Sequence, residues 1–591
     1  MYKNIDIYID NVLIDTIKEE VIEVTEILKD TKDISKIFTE FSQSFIIPAS
    51  SINNKVFKHY YDFNLEKPLD ARKKLKAKIQ IDGIDYLDGW VRVENVSMSF
   101  SKPLTYNITF FGNLVNLSET FGEDLLSNLD FSDYNHQVPN SGVEQVLSNG
   151  LFAQTIIYPF ISNYRRWYYN TDPNDNTDTD ELLNIAKFEP SFNEFKPAIK
   201  TRYIIDEIEK KYDLKLNGFI KDSELNNLYF WLNKNDGERV QGESNYKLID
   251  FNGQTEIVTG VGKVFIAVNG TNTDIDSKAV NIKIVYADNE QLIAEVFNEN
   301  YYEFQNTSSG RAIKIYVSVI QREVINVSLI YGFPLVTINS LNNEFFPTIN
   351  ISNQFSEMKV TEFVSGLVKL FNLVITSDDG IIFNFTPLQV WQNQGNTYDI
   401  TNYVIRDEYQ VLRPTIYNEI NFKFTESSTV LYEQFKTFFG YNWGDSYFKV
   451  EDENGKQVEG EQYTIEVPFQ QSVYERFVDS YTGELQDLVW SEGKGLENHL
   501  FFAIKRSNRF NPSKINKITS QNQIMLAFDS EIEEYTRVEN YNSLFLLFYN
   551  DYISDIFSVR RKSEEIEAIL PNYLITNLQL NDKLIIDFNY F

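Results

Sequence analysis

Two segments, Ile199–Leu216 (IKTRYIIDEIEKKYDLKL) and Met358–Ile375 (MKVTEFVSGLVKLFNLVI), align without a gap at one constant offset. Lys200, Lys210 and Leu214 meet Lys359, Lys369 and Leu373 identically, and Ile204, Ile205, Ile208 and Tyr212 meet Phe363, Val364, Leu367 and Phe371 in character. Positions i, i+1, i+4 and i+8 share one face of a helix, so each copy predicts an amphipathic helix. Asp213 and Asn372 are residue types that tolerate the left-handed turn at a helix end. Leu214/Leu216 and Leu373/Ile375 then continue at strand period. Two explanations stand: any helix–turn–strand converges on such a pattern, or the chain carries two related helix–strand modules. In the second case a trimer would present six quasi-equivalent faces.

Outward from these modules the pattern is β. Ile5, Ile7 and Ile9 alternate with polar residues, and Ile79 and Ile81 precede Asp82-Gly83 before Tyr86, Trp90 and Val91 resume. Asp-Gly between such runs signals a hairpin, because both central residues of a type I′ turn need positive φ. A strand follows at Leu104–Phe111, and a short helix capped by Ser50 or Ser51 is expected after Pro48. Between the modules, Lys263–Val268, Val280–Val285, Ala312–Ser318 and Val324–Ile330 alternate like the strands of a sandwich. Beyond Ile381 strands return at Glu419–Phe424, Gln462–Val467 and Leu584–Phe588, while Glu531–Phe548 reads as helix or strand. The predicted fold class is mainly β with a few helices (α+β), as multidomain β-barrels and sandwiches with the two related modules. The expected division is an N-terminal β domain over 1–120, an irregular connector over 121–195, the modules at 196–238 and 342–390, an inserted sandwich at 239–341, and a C-terminal β domain at 391–591.

With 591 residues the chain has room for about three to five domains. Its 36 Tyr and 46 Phe suit pleated, half-buried surfaces and protein interfaces. The absence of cysteine excludes disulfides, thiolate metal sites and cysteine nucleophiles. His59, His136 and His499 lie far apart without HExxH spacing, so a zinc hydrolase is not expected. A net charge of −31 opposes tight DNA clamping but suits a conduit through which DNA slides, or simply confers solubility. No apolar run nears the ~18 residues of a membrane span, the longest being Leu544–Tyr549. The start, MYKNIDIYID, has no apolar signal core, so no export signal is expected there.

Enzyme chemistry finds little footing. No phosphate-cradling GxxxxGK[ST] or GxSxG elbow occurs. Among 85 Asp and Glu, sequence cannot single out a glycosidase pair. Asp172, Asn174 and Asn176 fall at the first ligand positions of a calcium loop, but Thr177 replaces its glycine and Leu183 its bidentate glutamate. No catalytic, cofactor or metal residue is assigned. Two basic clusters stand out, Arg72, Lys73, Lys74, Lys76 and Lys78, and Arg560, Arg561 and Lys562. They either blunt sheet edges or register against an acidic neighbouring subunit. Arg165-Arg166-Trp167-Tyr168-Tyr169 has interface composition, and equally that of a buried aromatic cluster with arginine over it.

The segment Asp33–Tyr61, DISKIFTEFSQSFIIPASSINNKVFKHYY, resembles the N-terminal signature of tail structural proteins of crAss-like and related Bacteroidetes phages. The resemblance rests on Phe38, Phe41, Ser42, Ser44, Phe45, Pro48, Asn53, Asn54 and Phe57. Asp88-Gly89, Tyr106–Gly112, Leu114–Leu117, Tyr398–Tyr403, Arg413-Pro414 and Leu580–Ile585 look similar to the same proteins, whereas 239–341 has no counterpart. The resemblance implies a chain that runs on past the hairpin in which Tyr590-Phe591 ends. The resemblance implies a virion hub or ring subunit joining tail parts around the ejection channel, with partial similarity to baseplate hubs, and it brings no catalytic residue. Read physically, Ser42–Pro48 is a strand closed by proline, and Asn53-Asn54 offers amides for local capping. These residues are core and turn positions of one β-barrel, or an interface strand for a neighbour. The expected partners are further copies, as a trimer or hexamer, and other tail proteins, with DNA only in passage. Alternatives are a host-recognition fibre or carbohydrate-binding module and, third, a tail-associated cell-wall hydrolase.

Overall fold

The computed structural model describes residues 4–17, 42–62, 64–65, 69–70, 73–100, 102–112, 117, 120–137, 154–188, 190, 194–235, 246–270, 280–307, 310–319, 323–332, 334–340, 343–345, 348–377, 379–405, 410–412, 417–452, 454–505, 521–529, 531–532, 539–540, 543–557, 563–587 and 589–590. Strand makes up 44% and helix 19%, in several sheets, so the fold is mainly β with α+β character.

At the N-terminus six strands form an antiparallel sheet in the order Val12–Leu13, Ile5–Ile9, Leu75–Ile81, Ile84–Ser99, Lys102–Gly112, Ser42–Pro48. Alternation dictates the buried face, where Ile7, Ile9, Ile79, Val91, Val93, Tyr106, Ile108 and Phe110 pack together. Asp82 and Gly83 turn the hairpin with φ of +49° and +80°. Among the described residues no pairing links the two outer strands. Helix α1 (Ser51–Val56) follows Pro48, and Ser50 Oγ accepts the Asn53 backbone N–H at its start.

Residues 247–345 make two five-stranded sheets. One runs Lys247–Leu248, Ala312–Val319, Val280–Tyr286, Leu292–Phe297, with Ile257–Val258 also against Ala312–Val319. The other runs Tyr301–Asn306, Gly262–Gly270, Glu323–Tyr331, Val336–Asn339, with Asn343–Phe345 beside Glu323–Tyr331. Alternate residues of both sheets, such as Val264/Ile266/Val268 and Ile313/Ile315/Val317, meet in one core.

The modules are α2 (Thr201–Tyr212) with the strand Lys215–Gly218, and α3 (Val360–Leu370) with the strand Leu373–Thr376. Asp213 and Asn372 take φ of +53° and +48° between helix and strand. The strand Ile382–Pro387 lies between the two module strands, parallel to the first and antiparallel to the second, so the modules oppose each other. At α3 the Glu362 carboxylate accepts the Lys359 backbone N–H, closing its first turn.

Both helices belong to one large core with a central sheet ordered Ser446–Lys449, Tyr417–Thr425, Glu461–Gln470, His499–Lys505, Leu228–Trp231, Ala198–Lys200, Ile156–Ile157. This departs from the expected division: residues 121–195 are no mere connector, and much of 391–591 is no separate domain. Phe131, Phe195, Ile205, Phe363, Phe422 and Phe469 all contribute to the same core. Strands distant in sequence complete one another's hydrogen bonds here, which local periodicity cannot reveal. Helix α4 (Leu388–Asn393) lies against the module sheet, and α5 (Val430–Phe439) begins at Thr429, whose Oγ1 accepts the Tyr432 N–H, and ends at Gly440 with φ of +78°. The ambiguous 531–548 stretch gives the short strands Glu531–Ile532 and Glu539–Asn540, then a π-turn at Phe545–Tyr549.

Candidate functional site

Phe45 and Phe57 of the signature pack into the hydrophobic core of the N-terminal sheet. Phe45 and Phe57 are buried, the Phe57 ring packs 4.8 Å from Tyr106, and Pro48 pairs with Thr105. Asn53 is fully buried. Its Nδ2 donates to the carbonyls of Asp15 and Pro48, both at 2.8 Å, and its Oδ1 accepts the Asp15 N–H. Asn54 donates to the Ala49 carbonyl and accepts the Tyr106 hydroxyl. The amides therefore stitch strand, helix and chain start together. Phe38, Phe41 and Arg72 lie outside the described residues, as do Arg560, Arg561 and Lys562. Lys73 is exposed, whereas Lys74 places Nζ 4.1 Å over the Phe111 ring and Lys78 pairs with Asp85 at 2.7 Å. Two segments far apart in sequence come together: Thr397–Asp399 pairs in parallel with Lys583–Ile586.

Arg165, Arg166 and Trp167 divide their roles. Trp167, 1% exposed, packs against Phe160 and Phe195 and donates Nε1–H to Glu194. Arg165 grips the buried Glu194 carboxylate at 2.8 and 3.0 Å and Asp178 at 2.5 Å. Burial opposes its charge, but these carboxylates outweigh that and hold its pKa above the ordinary arginine value. Trp167 thus belongs to the core and not to an interface surface. Arg166 alternates to the opposite side and is exposed, with no ion pair among the described residues.

Arg166 stands on the lip of a cleft of about 360 Å³ whose walls include Tyr168, Tyr169, Arg476, Phe477 and Trp490. Two local structures frame it. Arg166–Tyr168 pairs in parallel with Leu182–Asn184, and the hairpin of Tyr474–Val478 with Leu485–Glu492 carries the other wall. Phe477 and Trp490 stack at 5.2 Å with rings 9° apart. Asp479 locks the walls together, accepting the Thr171 N–H and hydroxyl and the Tyr481 N–H. Burial pushes its pKa up, but these donors prevail and pull it down to about 2. Val478, Tyr481 and Leu485 stand exposed beside the cleft.

The Asp172–Asp180 loop spends its carboxylates internally: Asp172 accepts the Asn174 N–H, and Asp175 accepts Tyr168, Asn170 and Thr177. Among the described residues no group of three or more His, Cys, Asp or Glu side chains could hold a metal ion. No described helix is long and apolar enough to cross a membrane.

Sequence reasoning missed the exposed aromatics. Phe100, at the tip of the hairpin between Ile84–Ser99 and Lys102–Gly112, is 100% exposed, and Met98 and Leu104 are exposed near it. Phe438, 82% exposed, and Phe439 close α5, with Phe435 4.5 Å from Phe439. A phenylalanine flanked by serines was the available signal for the first. No family model matches the chain, and no curated protein matches it.

Proposed function

We propose that this chain is a virion structural protein of a phage tail, a subunit of an oligomeric hub or ring that connects tail components around the channel for genome ejection. One observation carries the reading: large apolar side chains stand uncovered at Phe100, at Phe438/Phe439 and at Tyr481, where they await another protein surface. The family-like signature supplies the context, since its Phe45 and Phe57 pack into the core of the sheet that carries Phe100's hairpin. The negative charge suits a lumen that DNA traverses without sticking. Partners are further copies, as a trimer or hexamer, and adjoining tail proteins; the work is mechanical and not enzymatic, and the place is the virion tail after synthesis in the host cytoplasm.

Electron microscopy of the purified protein and of tail particles tests this. Ring-shaped classes in isolation, or density for the chain around the tail axis, are expected. A protein that stays monomeric at every concentration and is missing from tails would sink the proposal. Specific capture on a glycan array would favour a host-recognition module instead, and peptidoglycan turnover abolished by one carboxylate substitution would favour a hydrolase.

A further inference from the structure

We infer that the Phe100 hairpin tip of one copy docks on the exposed face of α5 in the next copy, with Lys102 meeting Glu433. This rests on the ring reading above and names a contact that builds it. The tip projects. The neighbouring strand Leu75–Ile81 pairs the hairpin no further than Val91, and Ser42–Pro48 no further than Thr105, while the hairpin itself continues to Ser99 opposite Lys102. Phe100 holds φ of +45° at full exposure. Glycine or asparagine would occupy that turn at lower cost. Strain of this kind gathers where a contact uses it.

On α5, Val430, Glu433, Gln434, Thr437 and Phe438 follow at intervals of three and four, so they share one face, and all five are exposed. Leu431 and Tyr432 of the same helix turn inward, as apolar residues ordinarily do, whereas Val430 and Phe438 turn out. The Phe438 ring is backed by others: it meets Phe439 edge-on at 5.0 Å, and Phe439 lies 4.5 Å from Phe435. Charge selects the occupant. Two copies at −31 repel, so they meet where an acid of one faces a cation of the other. Glu433 is the one charge on that face, since Lys436 turns aside to Glu426 at 3.0 Å. The tip is its opposite: from Asn95 to Leu104 the single charge is Lys102, which is exposed. Of the other exposed aromatics described away from α5, Phe297, Tyr301 and Tyr481 stand within two residues of an acid, and Tyr573 has no cation within five. Spacing agrees with charge. Phe100 and Lys102 are at most about 7 Å apart, and Glu433 and Phe438 are about 7.5 Å apart along the helix axis. The ring therefore meets Phe438 while the ammonium reaches Glu433. Tip and face come from different segments, so the contact is heterologous: each copy gives one and takes one, as a closed ring requires.

Sedimentation equilibrium of full-length variants tests this. Lys102→Glu and Glu433→Lys should each weaken self-association by about threefold or more, because each turns an attraction into a repulsion. The chain carrying both should regain the parent's affinity, since the charges oppose again; damage to folding gives no such rescue. Phe100→Gly relaxes the turn, so its thermal unfolding temperature should hold or rise while association weakens by about tenfold or more, the scale of an aromatic hot spot. Phe438→Ser should weaken association to a similar degree. Three results would each overturn this contact yet leave the ring reading standing: losses that add in the double charge variant, Phe100→Gly assembling as tightly as the parent, or weakening by Phe438→Ser alone, which would assign the α5 face to another segment or partner. A strictly monomeric parent protein would remove both.

Discussion

Replacing Gly366 with alanine tests how the second module is seated on the central sheet. Gly366 lies mid-helix in α3, and a Cβ there would meet Phe469 Cε2 at 2.5 Å and Cζ at 2.8 Å, with Pro468 Cδ at 3.0 Å. Carbon atoms in contact prefer about 3.5–4.0 Å, so something must retreat by about 1 Å. Phe469 has nowhere to go: it is fully buried and edge-packed against Phe230 and Phe363. The helix must therefore lift off the strand Glu461–Gln470. Overpacking of this kind costs about 1–3 kcal/mol. Alanine returns up to about 1 kcal/mol through its helix propensity, which with the full return leaves a net loss of about 0–2 kcal/mol. Differential scanning calorimetry of the parent, Gly366→Ala and Gly366→Val should show the central transition falling in that order, with valine worse by bulk and β-branching. An alanine variant more stable than the parent would show that the helix is not held at this distance and would refute the reasoning. The equivalent residue of the first module is Glu207, buried and paired with Lys210 at 2.5 Å, so that copy is not spaced by a glycine.

Other consequences can be measured alongside. Arg165→Ala removes the guanidinium paired with the buried Glu194 carboxylate and should cost about 3–5 kcal/mol in urea unfolding; adding Glu194→Gln should recover part of that loss. Burial lifts the Asp445 carboxyl to about 6 despite donors from Phe424 and Asn442. Its folded value lies above the unfolded one, so its contribution of about 3 kcal/mol is whole below pH 4 and lost as pH rises through 6; Asp445→Asn should flatten that fall. Burial holds His499 down to about 4, with Nδ1 against the Gln470 carbonyl. That contribution, again about 3 kcal/mol, is whole above pH 6.5 and lost as pH falls through 4, so stability profiles of the two single variants should tilt in opposite directions. Asn53→Ala strips three backbone partners in the N-terminal unit and should lower its transition by about 3 kcal/mol, with faster hydrogen exchange at Asp15 as the local sign.

The amino-acid order by itself fixes whatever depends on near neighbours. The period of Val264, Ile266 and Val268 marks a strand with one buried face, as the sandwich core bears out. Asp82-Gly83 sets its turn, Ser50 caps its helix, and Asp213 and Asn372 end theirs in the left-handed region, because φ preference and a capping oxygen act within a few residues. Partnership across the chain is another matter. That Trp231 pairs with His499, or Tyr398 with Leu584, depends on which strand edge happens to lie alongside, and nothing in either segment encodes it. Burial follows the same rule. Trp167 and Phe100 are both aromatic residues in β-rich stretches, yet one is covered by Phe160 and Phe195 while the other meets only solvent, because covering a side chain takes atoms that arrive from elsewhere in the fold.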